Sequence, residues 1–75
     1  MPGWYYQTKK GTVSIRPVAE RWCIFFGDEN LGSYHSPAAA ADDAAGGHTY
    51  TPSNGTDLGR LGIPDNINEW TPIRP

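Results

Sequence analysis

Two histidines and two aspartates lie close together in the middle of the chain, and imidazole with carboxylate can bind a metal or exchange protons. His35 precedes, and His48 follows, a run of alanines that contains Asp42 and Asp43. If that run is a helix, its two ends are about 14 Å apart at ~1.5 Å per residue, too far for both imidazoles to bind one ion. We therefore expect loop histidines and no metal site.

The remaining reactive group is the thiol of Cys23, which lies in the apolar run Trp22-Cys23-Ile24-Phe25-Phe26 with no histidine near it in the sequence. A single cysteine cannot form an internal disulfide, so a buried thiol on a strand is expected. The sequence has no glycine-rich phosphate loop, and a chain of 75 residues has little room for a substrate pocket beside its core. These observations predict a protein that is not an enzyme and needs no cofactor.

Asp42 and Asp43 would lie in the last turn of the short helix, where the helix dipole disfavours negative charge. Three explanations are open: the acids keep an alanine-rich face solvated, they pair with Arg16 or Arg60, or they bind a cation of a partner. The third explanation makes Asp42 and Asp43 candidate residues for binding a protein partner.

Basic side chains are concentrated in the first third of the chain. Residues 4–22 contain one acid, Glu20, and four cations: Lys9, Lys10, Arg16 and Arg21. On a polar sheet face these four side chains are candidates for contacting nucleic acid. The formal charge of −2 for the whole chain argues against that function, and an ordinary solvated sheet face is the alternative.

The elements that would position these residues are strands followed by one helix. Alternation of apolar and polar residues predicts strands at Trp4 to Thr8 and Thr12 to Val18, an apolar strand at Arg21 to Phe26, and a short strand at Leu31 to Tyr34. Pro17 lacks an N–H group, so pairing of the second strand is expected to end there. Tyr5, Arg16 and Phe25 would lie on the exposed sheet face and are candidates for contacting a protein.

The helix is predicted at residues 37–45. Ser36 is a suitable N-cap, proline is tolerated at the first helical position, and Gly46-Gly47 can end the helix. Small residues spaced for one helix face would let it lie very close to the sheet: Pro37, Ala40, Ala41 and Ala44. The core volume would then come mainly from the sheet, through Val13, Ile15, Trp22, Ile24, Phe26 and Tyr34.

Residues 48–75 are predicted to be a loop and a C-terminal strap. The apolar residues of this segment, Leu58, Leu61, Ile63, Ile67 and Trp70, would cover an edge of the core, the last two from one helical turn. The alternative is a disordered peptide that folds onto a partner, because the content of polar residues, proline and glycine is high.

Two resemblances to known families accompany this pattern. The order of sheet and helix over residues 12–45 resembles AP2-type DNA-binding domains, through Arg21-Trp22, Ile24, Leu31-Gly32-Ser33-Tyr34 and the alanine-rich helix. That resemblance implies a three-stranded sheet that reads the major groove, with Arg16 and Arg21 at groove-reading positions.

A second resemblance covers most of the chain. The sequence is similar to a group of small uncharacterised bacterial proteins through Leu31-Gly32-Ser33-Tyr34, Ser36, Ala39-Ala40-Ala41-Asp42-Asp43, and the segment from Ile63-Pro64-Asp65 to Glu69-Trp70. This resemblance implies no activity, but it implies that the segment with Trp70 belongs to the fold.

The sequence as a whole predicts one α+β domain: a three- or four-stranded antiparallel meander over residues 4–34, one short helix packed on one face, and an irregular C-terminal strap. It has no signal-like start and no apolar stretch long enough to span a bilayer, which predicts a soluble cytoplasmic protein without a membrane partner. The expected function is that of a small bacterial protein-interaction module. Its partner is unidentified and is another protein or a second copy, with sheet-mediated nucleic-acid binding as the alternative.

Overall fold

A computed structural model describes residues 3–73 and consists of one sheet, one α-helix and two short 3-10 turns. The strands are β1 (Trp4–Thr8), β2 (Gly11–Val18), β3 (Arg21–Phe26), β4 (Glu29–Tyr34) and β5 (Thr71–Pro72), and the helix is α1 (Pro37–Gly46). The sheet is antiparallel with the order β4-β3-β2-β1-β5. The predicted α+β meander with one helix is therefore confirmed, and β5 adds a fifth strand that the sequence did not indicate.

Alternation along the strands gives the sheet one covered face. Val13, Ile15 and Ile24 are fully buried and stand in register, because Ile15 pairs with Ile24 and Val13 with Phe26. Partly buried aromatic side chains surround this centre: Trp4, Tyr6, Trp22, Phe26 and Tyr34. The predicted core residues thus all lie on the covered face.

Two details of β2 and β4 differ from the expected pattern. Pairing of β2 does not end at Pro17, since Pro17 pairs with Trp22 and Val18 with Arg21. Among residues 3–73 the ladder between β1 and β2 ends at the pair Trp4 and Ile15, so the missing N–H of Pro17 breaks no bond of that ladder. Strand β4 begins at Glu29, two residues before the expected start, and a β-bulge shifts the register between Ile24 and Phe25.

Helix α1 begins and ends as its sequence predicts. The Ser36 hydroxyl accepts a hydrogen bond of 3.1 Å from the backbone N–H of Ala39. Gly47 adopts a left-handed φ of 73°, which favours glycine, and its N–H donates to the carbonyl of Ala44. Ala40, Ala41 and Ala44 are fully buried, so the helix lies close to the sheet as expected from its small side chains.

The C-terminal segment packs on the same side of the sheet as the helix and contributes Leu58, Ile63 and Trp70 to the common core. Leu58 begins a 3-10 turn, Leu58–Arg60, and is 2% exposed, while Trp70 follows a second turn, Ile67–Glu69, and is 3% exposed. The Trp70 indole N–H donates a hydrogen bond of 2.9 Å to the carbonyl of Pro64. β5 then pairs with β1, which places this segment along the sheet edge as a strap.

Candidate binding face

The sheet face opposite α1 is not covered by any other element of residues 3–73. Strand alternation and register place on this open face the side chains of Tyr5, Ser14, Arg16, Arg21, Cys23, Phe25 and Ser33. Tyr5, Ser14 and Phe25 form one row across three strands, and Arg16, Cys23 and Ser33 form the next. The open face contains all the predicted protein-contact residues of the sheet.

Arg16 and Phe25 form the centre of the open face. The Arg16 guanidinium carbon lies 4.3 Å from the centroid of the Phe25 ring, a cation–π arrangement. Arg16 is exposed and Phe25 is half-buried. Stacking on the ring restricts the arginine side chain, so its N–H groups are held over the face in a narrow range of orientations.

Arg21 is held at the end of the same face by β4. Its Nε donates a hydrogen bond of 3.1 Å to the Ser33 hydroxyl, and one terminal nitrogen donates 3.2 Å to the Ser33 carbonyl. Neither Arg16 nor Arg21 has a carboxylate within ion-pair distance among the described residues. Within residues 3–73, the open face therefore carries two positive charges with no carboxylate at ion-pair distance.

Small side chains lie between the arginine and aromatic side chains of the open face. Ser14 is 8% exposed and Cys23 is 4% exposed, although neither lies on the helix-covered face. Larger neighbours in the same two rows shield them, which produces a shallow surface with Tyr5 and Phe25 flanking Ser14. The expected buried, free thiol of Cys23 is confirmed.

The structure separates the four predicted nucleic-acid contacts into two pairs. Lys9 and Lys10 lie in the β1–β2 turn, at the opposite end of β2 from Arg16 and Arg21. Five residues of strand between Gly11 and Arg16 span about 17 Å at ~3.3 Å per residue. The lysines instead share a groove with Arg60, which the sequence did not associate with them.

Asp42 and Asp43 lie away from the open face, on α1. Asp42 is exposed and Asp43 is half-buried, and neither forms an ion pair among residues 3–73. Arg60, one of their predicted partners, pairs with Asp57 instead, with Nε 3.3 Å from Oδ2. Burial, together with hydrogen bonding and Coulombic repulsion from the Asp43 carboxylate, raises the pKa of Tyr34 to about 12.

His48 packs beside the end of α1, because a Cβ on Gly46 would lie 3.2 Å from its ring. His35 is exposed before the N-terminal end of the same helix. Within residues 3–73, no group of three or more histidine, cysteine, aspartate or glutamate residues has the arrangement of a metal site. The two imidazoles and two carboxylates therefore do not form a common centre in the part of the chain that is described.

Tyr50 is an exposed aromatic residue that sequence reasoning missed. Its side chain is 77% exposed, and its backbone N–H donates 3.1 Å to the carbonyl of Leu31 in the edge strand β4. The Asn30 side chain accepts from the N–H of Gly32 in the same strand. These two contacts occupy main-chain groups of β4 and oppose the addition of another strand there.

Comparison with known proteins gives no relative for this chain. No protein-family model, no curated protein and no solved structure matches it. Among the described residues, no helix has the length and apolar character needed to cross a membrane.

Proposed function

We propose that this protein is a non-enzymatic binding module whose open face binds an acidic segment of a partner protein. Arg16 on the Phe25 ring is the observation that carries the proposal, because it combines a positive charge, an aromatic surface and a restricted orientation at one place. Arginine and aromatic residues are the groups that most often dominate binding energy at protein interfaces.

Charge supports an acidic partner. The open face has Arg16 and Arg21, neither of which pairs with a carboxylate of residues 3–73, while the whole chain has a formal charge of −2. An acidic segment would supply carboxylates to the planar guanidinium groups and apolar side chains to Tyr5 and Phe25. Such a combination of aromatic and arginine contacts is typical of a protein interface.

A symmetric contact between two open faces is less favourable than an acidic partner. Two-fold symmetry places like residues of the two copies in one small interface, so their Arg16 and Arg21 side chains would add four positive charges without a carboxylate. Nucleic acid fits the same charges, and Tyr5 and Phe25 could stack on bases. Two arginines are few for that purpose, since nucleic-acid binders commonly neutralise about 6–10 phosphates.

We place the module in the cytoplasm within this proposal. Its single thiol, Cys23, is free, and small domains of secreted proteins usually contain several disulfides. The resemblance to small bacterial proteins supports a bacterial origin for the same module.

The test is a titration of the isotope-labelled protein with a synthetic ten-residue peptide of alternating glutamate and leucine, followed by backbone amide shifts. Saturable shifts in β1, β2 and β3 at the open face are expected, and Arg16→Gln should weaken binding about tenfold, or ~1.4 kcal/mol. Lys10→Gln is the matched control, because it removes the same charge from the other end of β2. Equal losses in the two variants would show a general charge effect and contradict the proposal.

A single-stranded oligonucleotide in the same titration distinguishes the second candidate. Binding that is tighter than that of the peptide and falls steeply with salt would assign the open face to nucleic acid. Dimerisation in sedimentation experiments that Arg16→Gln strengthens would assign it to a second copy. Either result would refute an acidic protein segment as the occupant.

A further inference from the structure

A groove of about 360 Å³ lies at the end of the molecule where β1 turns into β2. Two separate segments of the chain line this basic groove: the β1–β2 turn, and the stretch of residues 54–61, which contains a loop and the 3-10 turn Leu58–Arg60. They contribute three cations, Lys9, Lys10 and Arg60, and one carboxylate, Asp57. Three positive charges and one negative charge leave a formal charge of +2 in a chain whose total is −2.

The cations of the basic groove keep donors for a ligand. No carboxylate of residues 3–73 lies within ion-pair distance of Lys9 or Lys10. Arg60 contacts Asp57 with Nε 3.3 Å from Oδ2, and its side chain is 86% exposed, so the guanidinium stays accessible to a ligand. An accessible planar guanidinium and two ammonium groups are the donors that phosphate oxygens accept best.

The backbone that carries these side chains is fixed by its own hydrogen bonds. In the β1–β2 turn, the buried Thr8 hydroxyl accepts from the N–H of Lys10 at 3.1 Å and donates to the carbonyl of Gly11 at 2.7 Å. In the facing segment, Asp57 accepts from the N–H of Gly59 at 3.0 Å. Because these turns are already ordered, a ligand does not have to order them, which favours binding.

We propose that the basic groove binds a small anion with at least two phosphate groups. Cations from separate segments suit charge that is spread over neighbouring groups better than a single phosphate. Leu61 is the one apolar side chain in the lining, and no aromatic ring is present there to stack on a base. The groove therefore selects the phosphates and not the remainder of the ligand. This site is separate from Arg16 and Arg21 of the open face, which lie toward the other end of β2.

The test uses inorganic pyrophosphate, added to the full chain at low salt and followed by backbone amide shifts. Saturable shifts are expected at Lys9, Lys10, Thr56 and Arg60, with a dissociation constant on the order of 1 mM, and weaker binding of inorganic phosphate and sulfate. Lys9→Gln with Lys10→Gln should weaken pyrophosphate binding about fivefold or more, as expected for the loss of two exposed charge contacts. Arg16→Gln is the control variant and should leave the affinity for pyrophosphate unchanged.

A second variant acts in the opposite direction. Asp57→Asn keeps an oxygen for the N–H of Gly59 but removes the carboxylate from the groove, so pyrophosphate binding should tighten about two- to fivefold. Shifts that fail to saturate, or that persist unchanged in the double lysine variant, would overturn the proposal. An oligonucleotide that shifts the same amides at lower concentration than pyrophosphate would also overturn it, because the site would then serve a polymer.

Discussion

Replacing Trp70 tests whether the C-terminal strap belongs to the cooperative fold. The side chain is 3% exposed, its indole N–H is bonded to the carbonyl of Pro64, and its ring centroid lies 6.1 Å from that of Tyr6. Trp70→Ala would remove almost the whole buried indole, and substitutions of this kind cost about 3–5 kcal/mol. A domain of this length has a total stability of roughly 4–11 kcal/mol at ~0.05–0.15 kcal/mol per residue. The variant should therefore lose from about a quarter to all of the free energy of unfolding.

A milder change separates the hydrogen bond from the packing. Trp70→Phe keeps an aromatic ring beside Tyr6 but removes the donor to the Pro64 carbonyl, and the lost bond together with the smaller ring should cost about 1–3 kcal/mol. Urea denaturation followed by far-ultraviolet circular dichroism gives both free energies. The exposed Tyr50 is the control, because Tyr50→Ala should change stability by no more than about 0.5 kcal/mol.

Burial of Trp70 does not stabilise the fold if Trp70→Ala destabilises the protein no more than Tyr50→Ala does. That result would mean that residues 58–73 do not contribute to the cooperative unit and that the strap folds only on a partner. If the urea midpoint of Trp70→Ala is intermediate and its free energy of unfolding depends less steeply on urea, the strap unfolds before the sheet.

Four further predictions concern the helix, a turn and one titrating group. Ser36→Ala should lower stability by about 1 kcal/mol in thermal denaturation, because the Ala39 N–H loses its acceptor; an unchanged melting temperature would contradict the cap. Ala44→Leu should cost about 1–3 kcal/mol or more in urea, since Ala44 is fully buried against the sheet, and a neutral result would show that the helix is not closely packed. Ala19 and Glu20 have positive φ angles of 51° and 65°, so Ala19→Asn with Glu20→Gly should raise stability by about 1 kcal/mol, measured against the wild type in urea. The pKa of Tyr34 is raised to about 12, so the folded state retains the phenol proton at a pH where the unfolded state loses it. The resulting contribution to stability is present below pH 10 and is lost as pH rises from about 10 to about 12. Tyr34→Phe should lack this pH-dependent loss in alkaline denaturation.

The fold could be predicted largely because its signals are local. Alternation in β2 specifies which side chains face the core, and the apolar run of β3 marks a central strand. Ser36-Pro37 and Gly46-Gly47 specify where α1 begins and ends. The start of β4 was less predictable, because Glu29 and Asn30 have the composition of a turn and are drawn into the strand by pairing with β3. β5 was missed for a similar reason, since Thr71 and Pro72 have no strand pattern of their own.

The candidate sites required the tertiary structure to a greater extent. Sequence placed Tyr5, Arg16 and Phe25 on one exposed face, because strand alternation alone determines that result. It also placed Lys9 and Lys10 with the arginines, because sequence proximity and charge carry no information about the length of β2 between them. The association of the lysines with Arg60 depends on a contact across about fifty residues that no local pattern encodes.

The sequence by itself determined the α+β class, the alanine helix, the covered sheet face and the buried Cys23, since each depends on periodicity or on the properties of neighbouring residues. Only the tertiary structure decided which distant charges meet. It brought Arg60, which pairs with Asp57 inside one local turn, to the same groove as Lys9 and Lys10, and it left Asp42 without an ion-pair partner among residues 3–73. Periodicity determines the direction in which a side chain points along its own element, whereas the partner that it reaches depends on how the strap closes over the core.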